Sequence, residues 1–246
     1  QTGYIDKESL PTLGTVSRNE NGYPIGYFFG YKAIGVFQTQ EEIDSYISPA
    51  TGKPIQPNAA PGDTKFEDLN GDGVISDDNE DRTMIGKPNP DWMVGLTVAA
   101  DWNGFDLSAF FQGSFGADVF DALRRYELAA VNYTSDALER WTGPGTSNSM
   151  PRIVLGDTPK NFRPSTLLVH DASFLRLRNL QVGYTLPAQL TRKAYIQRLR
   201  FYASFDNLLT ITGYKGMDPE IGSTMGIDKG VYPQARVYTF GLNLTF

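Results

Sequence analysis

The sequence contains no cysteine and a single histidine among its 246 residues. Disulfides and thiol chemistry are therefore excluded, and nothing supports a zinc site or a histidine-based triad around the lone His170. Positive charge is in short supply: 22 Lys+Arg stand against 28 Asp+Glu, a net of -6, which excludes a strongly basic nucleic-acid binder. Long apolar runs are missing as well. The longest nearly uncharged one, Trp92 to Ala100, has nine residues, too few for a membrane-spanning helix. It is close to the roughly 9–11 alternating residues that a transmembrane strand requires. The phosphate-binding patterns GxxxxGK[ST] and strand-placed GxGxxG are absent. The opening residues Gln1–Asp6 have no basic or apolar leader pattern, as expected of a cytoplasmic protein or of a processed or partial chain.

The negative charge is concentrated. Residues 63–81 hold eight acids (Asp63, Glu67, Asp68, Asp72, Asp77, Asp78, Glu80, Asp81) and one base, Lys65. The rest of the chain is close to neutral, so acidity belongs to one segment and not to the whole surface.

Alternation with period two dominates elsewhere. In the last ten residues Tyr238, Phe240, Leu242, Leu244 and Phe246 fall on one face, with Thr239, Gly241, Asn243 and Thr245 on the other. Residues 92–113 read as a hairpin with a tight turn at Asn103-Gly104. Residues 198–206 repeat the alternation. Residues 174–186 form a longer strand whose phase slips near Arg178–Leu180, the mark of a bulge. Residues 23–37 make a less regular aromatic strand, for five or six strands in all. Short links at 101–104 and 187–196 contrast with long ones at 38–91, 116–171 and 210–233. The spacing of Val119, Leu123, Tyr126 and Ala130 predicts a helix in the long loop 116–171, with a second turn at Ala137–Trp141.

Short turns on one side and long loops on the other are the habit of outer-membrane barrels. A soluble β-sandwich with the same faces packed as a core stays open on periodicity alone. Six strands cannot close a membrane barrel, since the smallest have about eight, so a membrane reading requires a larger barrel. Trp92, Trp102, Tyr184 and Tyr202 stand at strand ends as girdle or core-packing residues, and the girdle reading is favoured for Trp92 and Trp102, which flank a strand of about membrane-spanning length.

Asp68-Leu69-Asn70-Gly71-Asp72-Gly73-Val74-Ile75-Ser76 fits the first nine positions of an EF-hand-type loop. Asp68, Asn70, Asp72 and Ser76 would offer side-chain oxygens, and Val74 its carbonyl. The twelfth position is Asn79 and not the bidentate Glu. Two readings stand: a structural calcium, and an Asx-rich turn that needs no ion. Arg124, Arg125, Arg140 and Arg152 lie in the long loop, either facing a ligand or solvated.

Several segments, in order, resemble one family. They are Pro61–Ile75, Ile85–Asp91, Phe110–Gly116, Arg140–Gly143, Ser173–Leu180, Gly183–Pro187, Asn207–Thr212, Gly213–Pro219 and Thr239–Phe246. Together they resemble the C-terminal part of SusC/RagA-type TonB-dependent transporters of the Bacteroidetes outer membrane. The resemblance implies an all-β fold: the C-terminal segment, over 1–246, of a transmembrane barrel of about 22 antiparallel strands with long extracellular loops. Its plug domain and TonB box would lie outside this chain. It also implies non-enzymatic, TonB-dependent import of an oligosaccharide or oligopeptide, with a SusD-like surface lipoprotein as lid. Thr239, Gly241, Leu244 and Phe246 fit an outer-membrane insertion signal. The alternative is a soluble, calcium-stabilised β-sandwich that binds carbohydrate.

Overall fold

A computed structural model describes residues 9–10, 14–77, 80–124, 126, 128, 132–221 and 225–246. The chain divides into two compact units, one comprising 90–117, 171–220 and 231–246, the other 1–89, 118–170 and 221–230.

The first unit is a single five-stranded antiparallel sheet. Its strands are β1 (Trp92–Trp102), β2 (Phe105–Phe115), β3 (Phe174–Thr185), β4 (Arg198–Thr212) and β5 (Val237–Thr245). Each pairs with its neighbour in sequence, so the order is a plain meander. The β1–β2 turn is two residues long, with Asn103 at φ 49° and Gly104 at φ 89°. These left-handed conformations match the twist of the flanking strands, and Gly and Asn reach them at least cost. The β3–β4 link carries one short helix, Ala188–Thr191. The β2–β3 and β4–β5 links, 116–173 and 213–236, are long and leave from the opposite end.

Register turns the alternation into two continuous faces. Leu96 lies beside Phe111, Phe111 beside Leu177 and Leu177 beside Leu209. Val182 lies beside Leu107 and Ala203, and Ala203 beside Phe240. The other face aligns Ser108, Gln181, Ser204 and Thr239 in one row, and Gly183, Tyr202 and Gly241 in another. The apolar face is open: Trp92, Leu96, Trp102, Phe201, Phe240 and Leu242 are all exposed. A sandwich would bury that face. An open apolar face behind a polar one is the cross-section of a membrane barrel wall. Eleven residues of β1 rise about 33 Å, which at the usual strand tilt covers a band about 25 Å tall. Trp92 and Trp102 mark its two ends.

The bulge lies where the phase slips. Against β2, Arg178 is the extra residue between Leu177 and Asn179; against β4 the extra residue lies on β4, between Asp206 and Leu209, where Asn207 has φ 52°. β4 continues to Thr212, well past the expected end at 206. Tyr184 lies on the apolar face with its ring 4.5 Å from that of Phe105. Tyr202 does not: it stands on the polar face, so its girdle assignment is corrected.

The second unit packs its own core from Val16, Phe28, Phe120, Tyr126, Ala137, Met150, Phe162, Leu168 and Ile227. Residues 23–37 belong here and not to the barrel sheet. They split into Tyr27–Tyr31, buried at every position, and Ala33–Val36. Tyr27–Tyr31 pairs with Ser17–Arg18 and Arg82–Gly86, and Ala33–Val36 with Thr64–Phe66. The first segment lacks alternation because both its faces are covered. Among the described residues no helix starts at Val119: Asp118–Asp121 is a strand, parallel to Ile227–Asp228. Ala130 lies outside the described residues. The second expected turn exists as a 3-10 turn, Ser135–Glu139.

Candidate functional site

On the polar face of the sheet, Arg176 and Arg178 both lie near the start of β3. Arg176 is almost completely buried and donates from Nε to Thr210 (2.9 Å), from Nη1 to Glu220 (3.0 Å) and from Nη2 to Asp218 (2.5 Å). Its guanidinium carbon lies 5.3 Å from the Phe174 ring centre. Arg178 holds Glu220 through both carboxylate oxygens, at 2.5 and 2.7 Å, and donates to Gln112 at 2.6 Å. The extra residue of the bulge is thus a binding residue. It sends a guanidinium to the link that follows β4.

Asp218 closes the network from the link side. Its carboxylate also accepts from the backbone N–H of Glu220 (2.9 Å) and Gln234 (3.0 Å). Burial alone would push its carboxyl up. The two backbone donors and the Arg176 guanidinium outweigh burial and hold it below the usual carboxylate value. Two arginines on the polar face therefore pin Asp218 and Glu220, and Asp218 in turn holds the Gln234 N–H. The sequence carries this site as Arg-x-Arg inside an apolar alternation, a pattern that puts two cations on one face of a strand.

The acidic segment forms a closed turn. Asp68 accepts from the N–H groups of Gly71 (2.8 Å) and Gly73 (2.9 Å), one on each oxygen. Asn70 Oδ1 accepts from Asp72 N–H and Asp72 from Val74 N–H. The Asn70 amide donates to both Asp72 and Glu80 at 3.0 Å. Ser76 turns inward, its N–H and hydroxyl both donating to the buried Asp81. Asn79 lies outside the described residues. The donor types suit a hard cation, but the geometry is that of a hydrogen-bonded turn in which the Asn70 amide stands between two carboxylates. Among the described residues no group of three or more acidic or histidine side chains is placed to hold a metal.

The long-loop arginines have structural partners. Arg152 grips the buried Asp63 through Nε (2.6 Å) and Nη2 (3.1 Å). Arg124 pairs with Asp121 and Asp136, and Arg140 donates to the carbonyl of Ala137. Arg125 lies outside the described residues. In the terminal strand, Thr239 pairs with Ser204, Gly241 with Tyr202 and Leu244 with Leu199. Phe246 follows the strand and is exposed.

A β-meander with one lipid-facing and one polar side, short turns at one end and long links at the other, defines a segment of an outer-membrane β-barrel. No protein-family model matches the chain. It is 34% identical over 92% of its length to TonB-dependent receptor P3 of Formosa agariphila, and 30% identical over its whole length to TonB-dependent receptor SusC of Bacteroides thetaiotaomicron. It spans 22% and 23% of those proteins. Among solved structures it is similar to the RagAB peptide transporter, with a TM-score of 0.71 and 28% identity over 98% of this chain and 24% of that one. The RagAB peptide importer in its open-open state gives 0.70 and 25% over 100% of this chain and 25% of that one. The chain is of the SusC/RagA type among TonB-dependent receptors, a family of outer-membrane β-barrels.

Proposed function

We propose that this chain supplies barrel wall and outer loops to a TonB-dependent importer that takes up an oligosaccharide or an oligopeptide. The observation that carries the reading is the two-faced sheet with its arginine-pinned link. A polar face that holds Asp218 and Glu220 by charge-assisted hydrogen bonds supports the reading of a wall that lines a solute path. No bond-making step is required. The work is binding, desolvation and release, with energy delivered by TonB through a plug in the remainder of the receptor. A SusD-like surface lipoprotein is the proposed lid over the long links. A structural calcium in the 63–81 turn belongs to the same proposal, as does insertion through Thr239, Gly241, Leu244 and Phe246. The test is deletion of the intact receptor, with uptake of labelled oligosaccharides and oligopeptides measured in cells and the lipoprotein sought by co-purification. Unchanged uptake of both classes removes the import reading.

A further inference from the structure

The chain is acidic overall, at a net of -6, yet between Asp171 and Asp206 it has no acidic residue and six basic ones: Arg176, Arg178, Arg192, Lys193, Arg198 and Arg200. Three of them are matched by carboxylates of the same unit. Arg176 and Arg178 hold Asp218 and Glu220, and Arg200 holds Asp106. Arg198 stands on the polar face and shares a hollow there with Asp101 and Asp106. Arg192 and Lys193 are different. They lie in the β3–β4 link, 186–197, which contains no acid. Both are exposed, and neither forms an ion pair among the described residues.

This link sits at the rim of the apolar band. Leu186 N–H donates to the Leu199 carbonyl (2.9 Å) and Gln197 N–H to the Thr245 carbonyl (2.8 Å). The link therefore re-enters the sheet opposite the residue before Phe246. The apolar face ends here in Trp102, Phe105 and Phe246, all exposed, and the link adds Leu190 and Tyr195. Tyr195 is 90% exposed. Its backbone is left-handed, at φ 59° and ψ 25°, a conformation that strains a bulky residue. Its ring makes no aromatic contact and its hydroxyl no hydrogen bond among the described residues. Packing within the chain does not account for a strained tyrosine held out in this way. A water–lipid boundary does: the ring enters the boundary and the hydroxyl stays with the headgroups.

We propose that the 186–197 link is a docking site for the phosphodiester headgroup of an anionic phospholipid, in the leaflet at the short-turn end. Arg192 and Lys193 supply the charge, and Leu190 and Tyr195 enter the boundary beside the acyl chains. Charge complementarity selects the occupant. Two unmatched cations and no acid favour a headgroup of net negative charge over a zwitterionic one, whose own ammonium competes for the phosphate. The adjoining apolar wall selects a lipid over a free anion, because it receives the chains that the headgroup carries. The Asp106–Arg200 pair stands on the polar face and takes no part. The site belongs to the barrel wall itself and does not depend on which solute the receptor imports.

The experiment titrates the intact receptor, in a neutral detergent, with phosphatidylglycerol, phosphatidylcholine or inorganic phosphate, and reads retained molecules by native mass spectrometry. Lipid sites elsewhere on the receptor are common to all variants, so the readout is the change that each substitution makes. The unsubstituted receptor is expected to retain phosphatidylglycerol more strongly than phosphatidylcholine. Arg192→Gln and Lys193→Gln should each weaken phosphatidylglycerol about five-fold, the factor for one cation at an anionic surface, and leave phosphatidylcholine unchanged. Tyr195→Asn, which keeps the left-handed conformation accessible, should weaken both lipids alike. The proposal is overturned if the two lipids are retained equally or if the double substitution leaves the preference for phosphatidylglycerol intact. Displacement of phosphatidylglycerol by an equal concentration of inorganic phosphate would also overturn it, since the site would then be one for a free anion. Solute uptake enters none of these readouts, so the import reading stands or falls separately.

Discussion

The ring of Tyr202 occupies the space that a side chain on Gly241 would need. A Cβ at Gly241 would lie 2.5 Å from both the ring Cζ and the phenolic oxygen of its cross-strand partner. The glycine is therefore a packing requirement. Tyr202 in turn is held by the Arg200 guanidinium, 5.2 Å from its ring centre. Gly241→Val is expected to destabilise the barrel by about 1–3 kcal/mol, the usual cost of overpacking. Heat-modifiable mobility of the intact receptor measures this. In a Tyr202→Ala background the penalty should largely vanish. An equal penalty in both backgrounds would mean that the ring is not its cause.

The two faces of β5 predict a sharp contrast between adjacent residues. Leu242→Arg places a charge near the middle of the lipid-facing band, at a cost of about 2–4 kcal/mol. Asn243→Lys, on the polar side, should be tolerated. Spin labels at 240, 242 and 244 are expected to be relaxed by a lipid-soluble agent, and labels at 239, 243 and 245 are not. Equal shielding of both sets from lipid would contradict the placement.

Asp218 should make the 213–236 link sensitive to acid. Its folded value lies below the usual aspartate value, so its contribution to stability is present above that usual value. The contribution is lost as pH falls through the folded value, where the carboxyl takes up a proton and releases Arg176. Hydrogen exchange over 213–221 is expected to rise below about pH 4, and Asp218→Asn should remove that transition. Arg176→Ala leaves a buried carboxylate without its ion partner and should cost about 3–5 kcal/mol.

The acidic turn gives a prediction about ion binding. A calcium ion bound by Asp68, Asp72 and Glu80 would have to displace the Asn70 amide from between two carboxylates. Net charge of this density repels itself, and a cation would relieve it. Calcium should then raise the melting temperature of the intact receptor, and Asp68→Asn with Asp72→Asn should abolish the rise. No change on addition of calcium or chelator would leave the hydrogen-bonded turn as the complete account.

Much of the barrel sheet was legible because its determinants are local. Period two fixes which side chains share a face, Asn103-Gly104 fixes a turn, and the slip at Arg178 is visible as a break in parity. The loop-bearing unit was harder. Tyr27–Tyr31 is covered on both sides and so shows no period. Val119 and Tyr126 imitate helical spacing, yet one sits in a strand and the other in the core. The helix Gln40–Ser45 was missed despite a local signal. Thr39 caps it by accepting from Glu42 N–H, while the Glu42 carboxylate takes the Gln38 N–H. The arginine site was legible as two cations on one strand face. Its acidic partners come from residues 40 or more positions away, a pairing that no local pattern encodes.

The meander has a consequence for how such a wall is made and altered. Within the sheet every strand pairs with the sheet's next strand in chain order, so the wiring never crosses itself. The β1–β2 and β3–β4 pairs are local, whereas the β2–β3 pair, from Phe174↔Ser114 to Tyr184↔Phe105, closes across the long 116–173 link and carries the larger loop-closure cost. At a given tilt and stagger the circumference grows with the number of strands. A hairpin gained or lost by duplication changes the bore of the tube and leaves the pairing of all the others as it was.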